Sequence, residues 1–448
     1  MLNEPSSSQQ LKRQLTLFDS TCIIVGIIIG SGIYRTSGLI AAQFASATPL
    51  ILCWICGGVI GLFGALCYAR LAEHYPGEGG DYVYLSRAFG KSAGVLFAWC
   101  QFWIVRPGNI GAMAFVFADY LRQILGTGNE WNVYYAVTCV LILTFLNIVG
   151  VRSGKWTQNL LTTAKVVGLL AIVVLAFALS TPPEDATVAP PPDNPNLHLA
   201  MVLILFTYGG WNDMAFVTSE MKDPRRNIPR GLLAGAGSVT MIYVLLNLAF
   251  IYALGMESLS RSDVVASDLL QLLIGDWGRV LISLLICISC LGAINGMIFA
   301  GARIYFAIGD GIPGLGNLRV WNDKFDSPVR SLVVQAIVLV ALILGLGLSG
   351  EGFTTLVMFI TPFFFFFFLL SAIASLRLAW QSATAPFQRT VAITAPIIFT
   401  ATCLFMLYAG IRYLIENPDE NNLKFGIIWS LLTILSGAIA VLLAKRRR

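Results

Sequence analysis

A chain of 448 residues that is 57% hydrophobic and 12% charged, with a mean hydropathy of +0.76, cannot wrap a polar surface around a core, so a soluble globular domain is excluded. Its apolar runs of about 20 residues have the length that crosses a bilayer as helix, and they are too uniformly apolar for the alternating strands of a barrel. The formal net charge of +5 matters through where it falls, as an orientation signal.

Twelve spanning segments are read in chain order. They run approximately over Leu15 to Gln43, Pro49 to Ala72, Ser92 to Ile124, Trp131 to Val149, Gln158 to Leu179 and Leu197 to Met221. The second six are Gly231 to Leu254, Trp277 to Ile308, Val329 to Leu348, Phe353 to Leu376, Val391 to Leu414 and Phe425 to Ala444. Gly80 to Phe89 is amphipathic and is expected along the membrane surface. Met1 to Gln14 lacks a signal-peptide pattern, so the first segment is expected to be retained. The chain reads as one membrane unit, 1–448, with no soluble domain in any loop.

An even count puts both ends on one side. Lys12, Arg13, Arg70, Arg87, Lys91, Arg152, Lys155, Lys222, Arg225, Arg226, Arg230, Arg319, Lys324, Arg330, Arg377, Arg389 and the run Lys445 to Arg448 fall on that side. The opposite side holds Arg122, Arg261, Arg279, Arg412 and Lys424, an asymmetry that places both termini in the cytoplasm. The nine cysteines all lie in apolar helices and read as small core residues. Cys53/Cys56 and Cys287/Cys290 have Cys-x-x-Cys spacing, but no histidine or further cysteine joins them, so neither metal nor redox cofactor is expected. The phenylalanine run Phe363 to Phe368 reads as bulky packing in the tenth segment before it reads as substrate contact.

Two segments are interrupted where a plain spanning helix needs no break. In the first, Gly30-Ser31-Gly32 allows torsions that leave the helix and bares amide N-H groups at the start of a second half-helix, where a carboxylate is attracted. In the sixth, Tyr208-Gly209-Gly210-Trp211 does the reverse, freeing carbonyls that can accept from an ammonium. A Gly-x-Gly pair in a membrane helix also serves close packing. Two breaks in corresponding halves instead point to a transporter site holding a zwitterion.

The motif Gly30-Ser31-Gly32-Ile33-Tyr34 resembles a signature of the amino acid-polyamine-organocation (APC) superfamily. Phe206-Thr207-Tyr208-Gly209-Gly210-Trp211-Asn212 is similar to that of its L-type amino acid transporter branch. Pro76 to Tyr84, Arg106-Pro107, Glu220 to Pro224 with Arg226 and Pro229, and Asn295-Gly296 with Arg303 match as well, so the likeness runs from about Leu15 to Pro328. It implies an all-α fold in which five helices recur in inverted orientation (15–180, then 197–378), with two more at 390–444. The chain would be a bacterial-type member.

The resemblance implies roles residue by residue. Substrate carboxylate would meet Ser31 and the amides of Gly32 and Ile33; ammonium would meet the carbonyls of Ile28, Phe206 and Tyr208 or Gly209. Phe206 would close over substrate as an outer gate, or simply face core or lipid, and Trp211 and Asn212 would brace the second break. Lys165 matches a family lysine that stands where sodium-coupled relatives bind their cation. Its ammonium could donate to carbonyls near Gly26 or Ile27 and to the eighth segment around Ser289, unless it snorkels to the cytoplasmic face. Arg303, with Glu220 and Asp310, would form an inner latch or a permanent salt bridge. Arg106 would hold helix geometry. Arg35 departs from the pattern and would face the outer vestibule or alter side-chain choice.

The loop Arg122 to Glu130 lacks the cysteine that links heteromeric relatives to a heavy chain, so no such partner is expected. His74 and His198 are the only histidines, both at membrane edges, and no nucleophile-base pair or phosphate loop is present, which argues against an enzyme. The expectation is sodium-independent exchange of neutral L-amino acids by alternating access in the inner or plasma membrane. Proton-coupled uptake through Lys165 and a non-transporting sensor are the alternatives.

Overall fold

The computed structural model describes residues 14–75, 80–184, 186–189, 195–262, 264–312, 314–347, 352–381, 386–416 and 421–445. Among them the chain is helical: α1 (Leu17–Ile28), α2 (Gly32–Ala41), α3 (Ala47–His74), α4 (Asp81–Phe89), α5 (Lys91–Cys100), α6 (Arg106–Leu125), α7 (Asn132–Ile148) and α8 (Val151–Leu179). Then come α9 (Leu197–Thr207), α10 (Pro224–Arg261), α11 (Val265–Ile274), α12 (Asp276–Gly311), α13 (Val329–Gly347), α14 (Gly352–Gln381), α15 (Pro386–Glu416) and α16 (Asn421–Lys445). The twelve segments are all present as a polytopic membrane fold. α1 with α2 makes the first, α5 with α6 the third, and α9 with the 3-10 helix Trp211–Glu220 the sixth.

The core is mainly apolar, but so is much of the exposed surface, unlike that of a water-soluble protein. Lys165, Arg106, Arg303, Asn295 and Gln335 are buried, whereas Leu141, Phe145, Leu160, Val174, Ile337 and Leu435 are exposed. In lipid that arrangement is the favourable one, since outward apolar side chains meet acyl chains and inward polar ones find partners.

Local chemistry explains the ends and irregularities that matter to the site. Thr16 and Asp19 form a reciprocal cap on α1, with Thr16 Oγ1 accepting from the Asp19 amide at 3.2 Å and Asp19 Oδ2 accepting from the Thr16 amide at 2.8 Å. The third segment is not one regular helix, because Gln101–Val105 form a π-turn between α5 and α6. Pro107 has no N-H to offer the turn before it, which leaves carbonyls bare in the π-turn. The Trp103 carbonyl accepts from Trp429 Nε1 at 3.0 Å and that of Phe102 from the Tyr305 hydroxyl at 2.6 Å. α16 and α12 thereby hold the distortion that sets the register of Arg106.

Several boundaries differ from expectation for identifiable reasons. α8 starts at Val151, seven residues before Gln158, because its first two turns are polar. α10 starts at Pro224, a residue suited to the first helical position, and bends at Gly255, where φ is 75°, before reaching Arg261. α11 is an addition to the twelve segments: ten residues are too few to span, yet it packs Val265, Ala266, Leu269 and Leu270 inward against α12, α2 and α8. Of the cysteines, Cys56 is exposed and Cys53 half-buried, so these two are not core residues; all nine are free thiols. The amphipathic segment is helix α4, with Asp81, Tyr84 and Leu85 buried, while Pro76 to Gly79 lie outside the described residues.

Candidate functional site

α1 stops at Ile28, and the Gly30 amide turns back to the Ile28 carbonyl at 2.8 Å, so the chain re-enters a helix only at Gly32. The first amides of α2 therefore have no carbonyl one turn earlier to bond. α9 stops at Thr207, the Gly209 amide donates to the Phe206 carbonyl at 3.0 Å, and Gly210 takes φ 113° before the 3-10 helix begins. A side chain is strained at that φ, and a β-carbon on Gly210 would also stand 2.8 Å from Ile27. The two breaks thus touch each other.

A cavity lies between them, lined by Ile27, Ile28, Gly30, Ser31 and Gly32 on one side and by Leu205 to Asp213 on the other. Asn109 and Met113 of α6, Met297 of α12, and Ile360, Thr361, Phe364, Phe365 and Phe368 of α14 complete most of the wall. Ser31, Gly32, Ile28, Phe206, Tyr208, Gly209, Trp211 and Asn212 are accordingly brought together. Ile33 is buried just behind them and does not line the space. Trp211 packs in the same aromatic cluster as Phe368, its ring stacked 5.4 Å away, with Tyr68 edge-on at 5.1 Å. The phenylalanine run is therefore divided: Phe364, Phe365 and Phe368 face the cavity region, Phe367 packs on Phe97, and Phe366 is exposed. Helical periodicity within the run gives it two faces, which a reading of the run as one packing unit misses.

Lys165 is fully buried on α8. Its Nζ donates to the carbonyls of Gly26 at 2.8 Å, Ile29 at 2.6 Å and Ser289 at 2.8 Å, spanning the end of α1 and the middle of α12. The expected alternative partner Ile27 is not used. Ser289 Oγ reinforces the same place by donating to Ile29 at 2.9 Å. The polar face of α8 continues toward its N-terminal end, where Thr162 Oγ1 donates to the Cys22 carbonyl at 2.9 Å and Asn159 to Asp19 at 2.7 Å. Close approach requires Gly26, since a β-carbon there would overlap Gln158 and Thr162.

Charges on the other side of the cavity meet carboxylates. Arg106 donates through Nη1 and Nη2 to the two oxygens of Asp213 at 2.5 and 2.8 Å. Arg303 donates through Nε and Nη2 to Glu220 at 2.6 and 3.1 Å and through Nη1 to the Phe299 carbonyl at 2.7 Å. The side chain of Asp310, the other acid expected there, lies outside the described residues, as does that of Arg35. Glu220 also fastens the start of α1, its carbonyl accepting from the Leu15 amide at 2.9 Å. Beside these pairs, Asp81 of α4 is buried and accepts from the hydroxyls of Tyr68 and, at 2.7 Å, Ser371. Burial pushes its carboxyl up to about 7, and nearby Asp213 adds to the rise.

Sequence reasoning misses three participants. Tyr243 of α10 is buried, and its hydroxyl lies 3.1 Å from the Ile28 carbonyl and 3.4 Å from that of Thr207, one on each broken helix. Nothing in its apolar surroundings marks it. Asp213 carries a signal, an acid inside a spanning segment, and so does Asn109, a polar residue soon after Pro107. Among the described residues no group of histidine, cysteine, aspartate or glutamate is arranged to hold a metal.

The family model described as amino acid permease matches residues 15–439. The chain is 32% identical over 309 residues to the large neutral amino acids transporter small subunit 2 of Mus musculus, covering 66% of this chain and 58% of that protein, less than two thirds of its length. It is 30% identical over 301 residues to the serine/threonine exchanger SteT of Bacillus subtilis, 67% of this chain and 69% of the other. To the b(0,+)-type amino acid transporter 1 of Mus musculus it is 29% identical over 356 residues, 75% and 70% of the two chains.

Proposed function

Since the chain belongs to the amino acid permease family, as an L-type member of the APC superfamily, we propose that it transports L-amino acids by alternating access, exchanging neutral ones without sodium. The observation that carries the reading is the pair of abutting helix breaks: bare amides at the start of α2 suit a carboxylate, and carbonyls at the ends of α1 and α9 suit an ammonium. Ser31 and Gly32, with the amide of Ile33 behind them, take the carboxylate end; Ile28, Phe206, Tyr208 and Gly209 take the ammonium end. Phe206 closes the outer side, Trp211 and Asn212 brace the second break, and Arg303 with Glu220 latches the inner side. No covalent step is required.

Lys165 supplies the sodium independence. Its ammonium already donates to carbonyls at the first break, so a fixed protein cation does there what a bound metal cation would do. The repeat division at 15–180 and 197–378, followed by 390–444, cytoplasmic termini, residence in the inner or plasma membrane and operation without a disulfide-linked heavy chain complete the reading.

A thermal-shift series tests the site, because a ligand that binds only the folded protein raises Tm. L-alanine, L-serine and L-leucine should raise it, while propionate and ethylamine, each with one end of the zwitterion, should not. Equal shifts from either half-molecule, or none from any amino acid, would overturn the reading.

A further inference from the structure

Asp213 is the one charged residue among the described residues lining the cavity. Arg106 stands one layer behind, outside the lining, and grips both carboxylate oxygens at 2.5 and 2.8 Å. The pair is almost completely buried, and the ring of Phe216 lies 5.5 Å from the guanidinium carbon. Next to Asp213 in the lining, the buried Asn212 Oδ1 has no hydrogen-bond partner among the described residues. Lys165 does not offset Asp213 here, because it sits behind α1 among carbonyls and does not line the space. The wall therefore presents polar groups whose charge sums to zero only because Arg106 is present.

In a site of low dielectric, an uncompensated charge acts strongly on any charge brought beside it, and a compensated one does not. We infer that the Arg106–Asp213 pair is the charge selector of this cavity: Arg106, a positioning residue acting through Asp213, cancels its carboxylate so that substrates with uncharged side chains are taken and cationic or anionic ones refused. This deepens the amino acid transport reading and rests on it. Loss of Arg106 would leave a carboxylate that recruits a cationic side chain. Loss of Asp213 would leave a guanidinium that favours an anionic one.

The test uses the full chain in proteoliposomes, with labelled serine or leucine as the exchanged solute and lysine, glutamate and alanine as competitors. In the wild type alanine should compete, and lysine and glutamate should not. Arg106→Gln should improve lysine relative to alanine by at least about tenfold, Asp213→Asn should improve glutamate, and the double variant should return to the neutral preference. Opposite shifts that cancel are not what a merely structural pair would give. Asn212→Asp keeps both members of the pair but replaces the Asn212 Nδ2 that donates to Asp213 Oδ1 at 3.4 Å with a carboxylate on the wall, so it should also gain lysine, and it carries the test if the single variants do not fold. Variants that keep the wild-type ranking, a double variant that stays shifted, or lysine competing as well as alanine in the wild type would each overturn the selector while leaving transport standing. A wild type that exchanges neither label would overturn both.

Discussion

The two broken helices handle buried charge in opposite ways. At the first break a lone ammonium, Lys165, is satisfied by the carbonyls of Gly26, Ile29 and Ser289. Below the second, Arg106 and Arg303 are each satisfied by a two-point carboxylate, Asp213 and Glu220. A carboxylate partner moves with its side chain and tolerates helix adjustment, whereas backbone carbonyls are free for Lys165 only while α1 remains unwound at its end. The first side thus ties charge to backbone shape, and the second ties charge to charge.

The largest effect should come from Lys165→Met. It strips a cation from three carbonyls at once, of which Ile29 keeps the Ser289 hydroxyl, and exchange in proteoliposomes should fall by roughly a hundredfold or more, with each acceptor left orphaned costing about 1–3 kcal/mol. Lys165→Arg should not rescue it, because a planar fork cannot donate to three converging carbonyls from the same depth. Retained exchange in Lys165→Met would erase the distinction between the two sides.

On the second side, Glu220→Gln should leave Arg303 buried and unpaired and cost about 3–5 kcal/mol, read as a lowered Tm in detergent. Pairing it with Arg303→Met should recover most of that loss. If the double variant is no better than the single, charge pairing is not what holds this side.

Asp81 refines the contrast, being an acid held by hydroxyls where the other buried acids meet cations. Its folded value of about 7 lies above the ordinary 3.8, so between those limits the folded state holds a proton that the unfolded chain has released. Stability should therefore fall as pH rises through that window, by about 1.4 kcal/mol per pH unit, and level off above it. Melting curves from pH 5 to 8 should show the slope, and Asp81→Asn should remove it.

Tyr243→Phe should have the smallest effect. It removes one hydroxyl bridging the breaks, worth about 1 kcal/mol and so roughly fivefold in substrate affinity, with little change in Tm.

Legibility in the sequence follows the same division. Gly30-Ser31-Gly32 and Tyr208-Gly209-Gly210 are visible because glycine clusters at mid-membrane depth interrupt a helix that lipid otherwise requires to be continuous, and a lysine such as Lys165 stands out at that depth. The pairing of Arg106 with Asp213 joins residues 107 apart in sequence and depends on the π-turn before Pro107, whose register no periodicity reveals. Tyr243 is illegible for the opposite reason, as an aromatic in an apolar helix usually only packs. α11 stays hidden because Asp268 and a length of ten residues disguise an amphipathic helix as a loop.

The most direct measurement of the central claim is counterflow in purified proteoliposomes, with sodium replaced by choline on both sides. Efflux of labelled serine or leucine should require an external amino acid and proceed at an unchanged rate without sodium. Loss of flux in choline, or accumulation into empty vesicles driven by a pH gradient, would contradict the account.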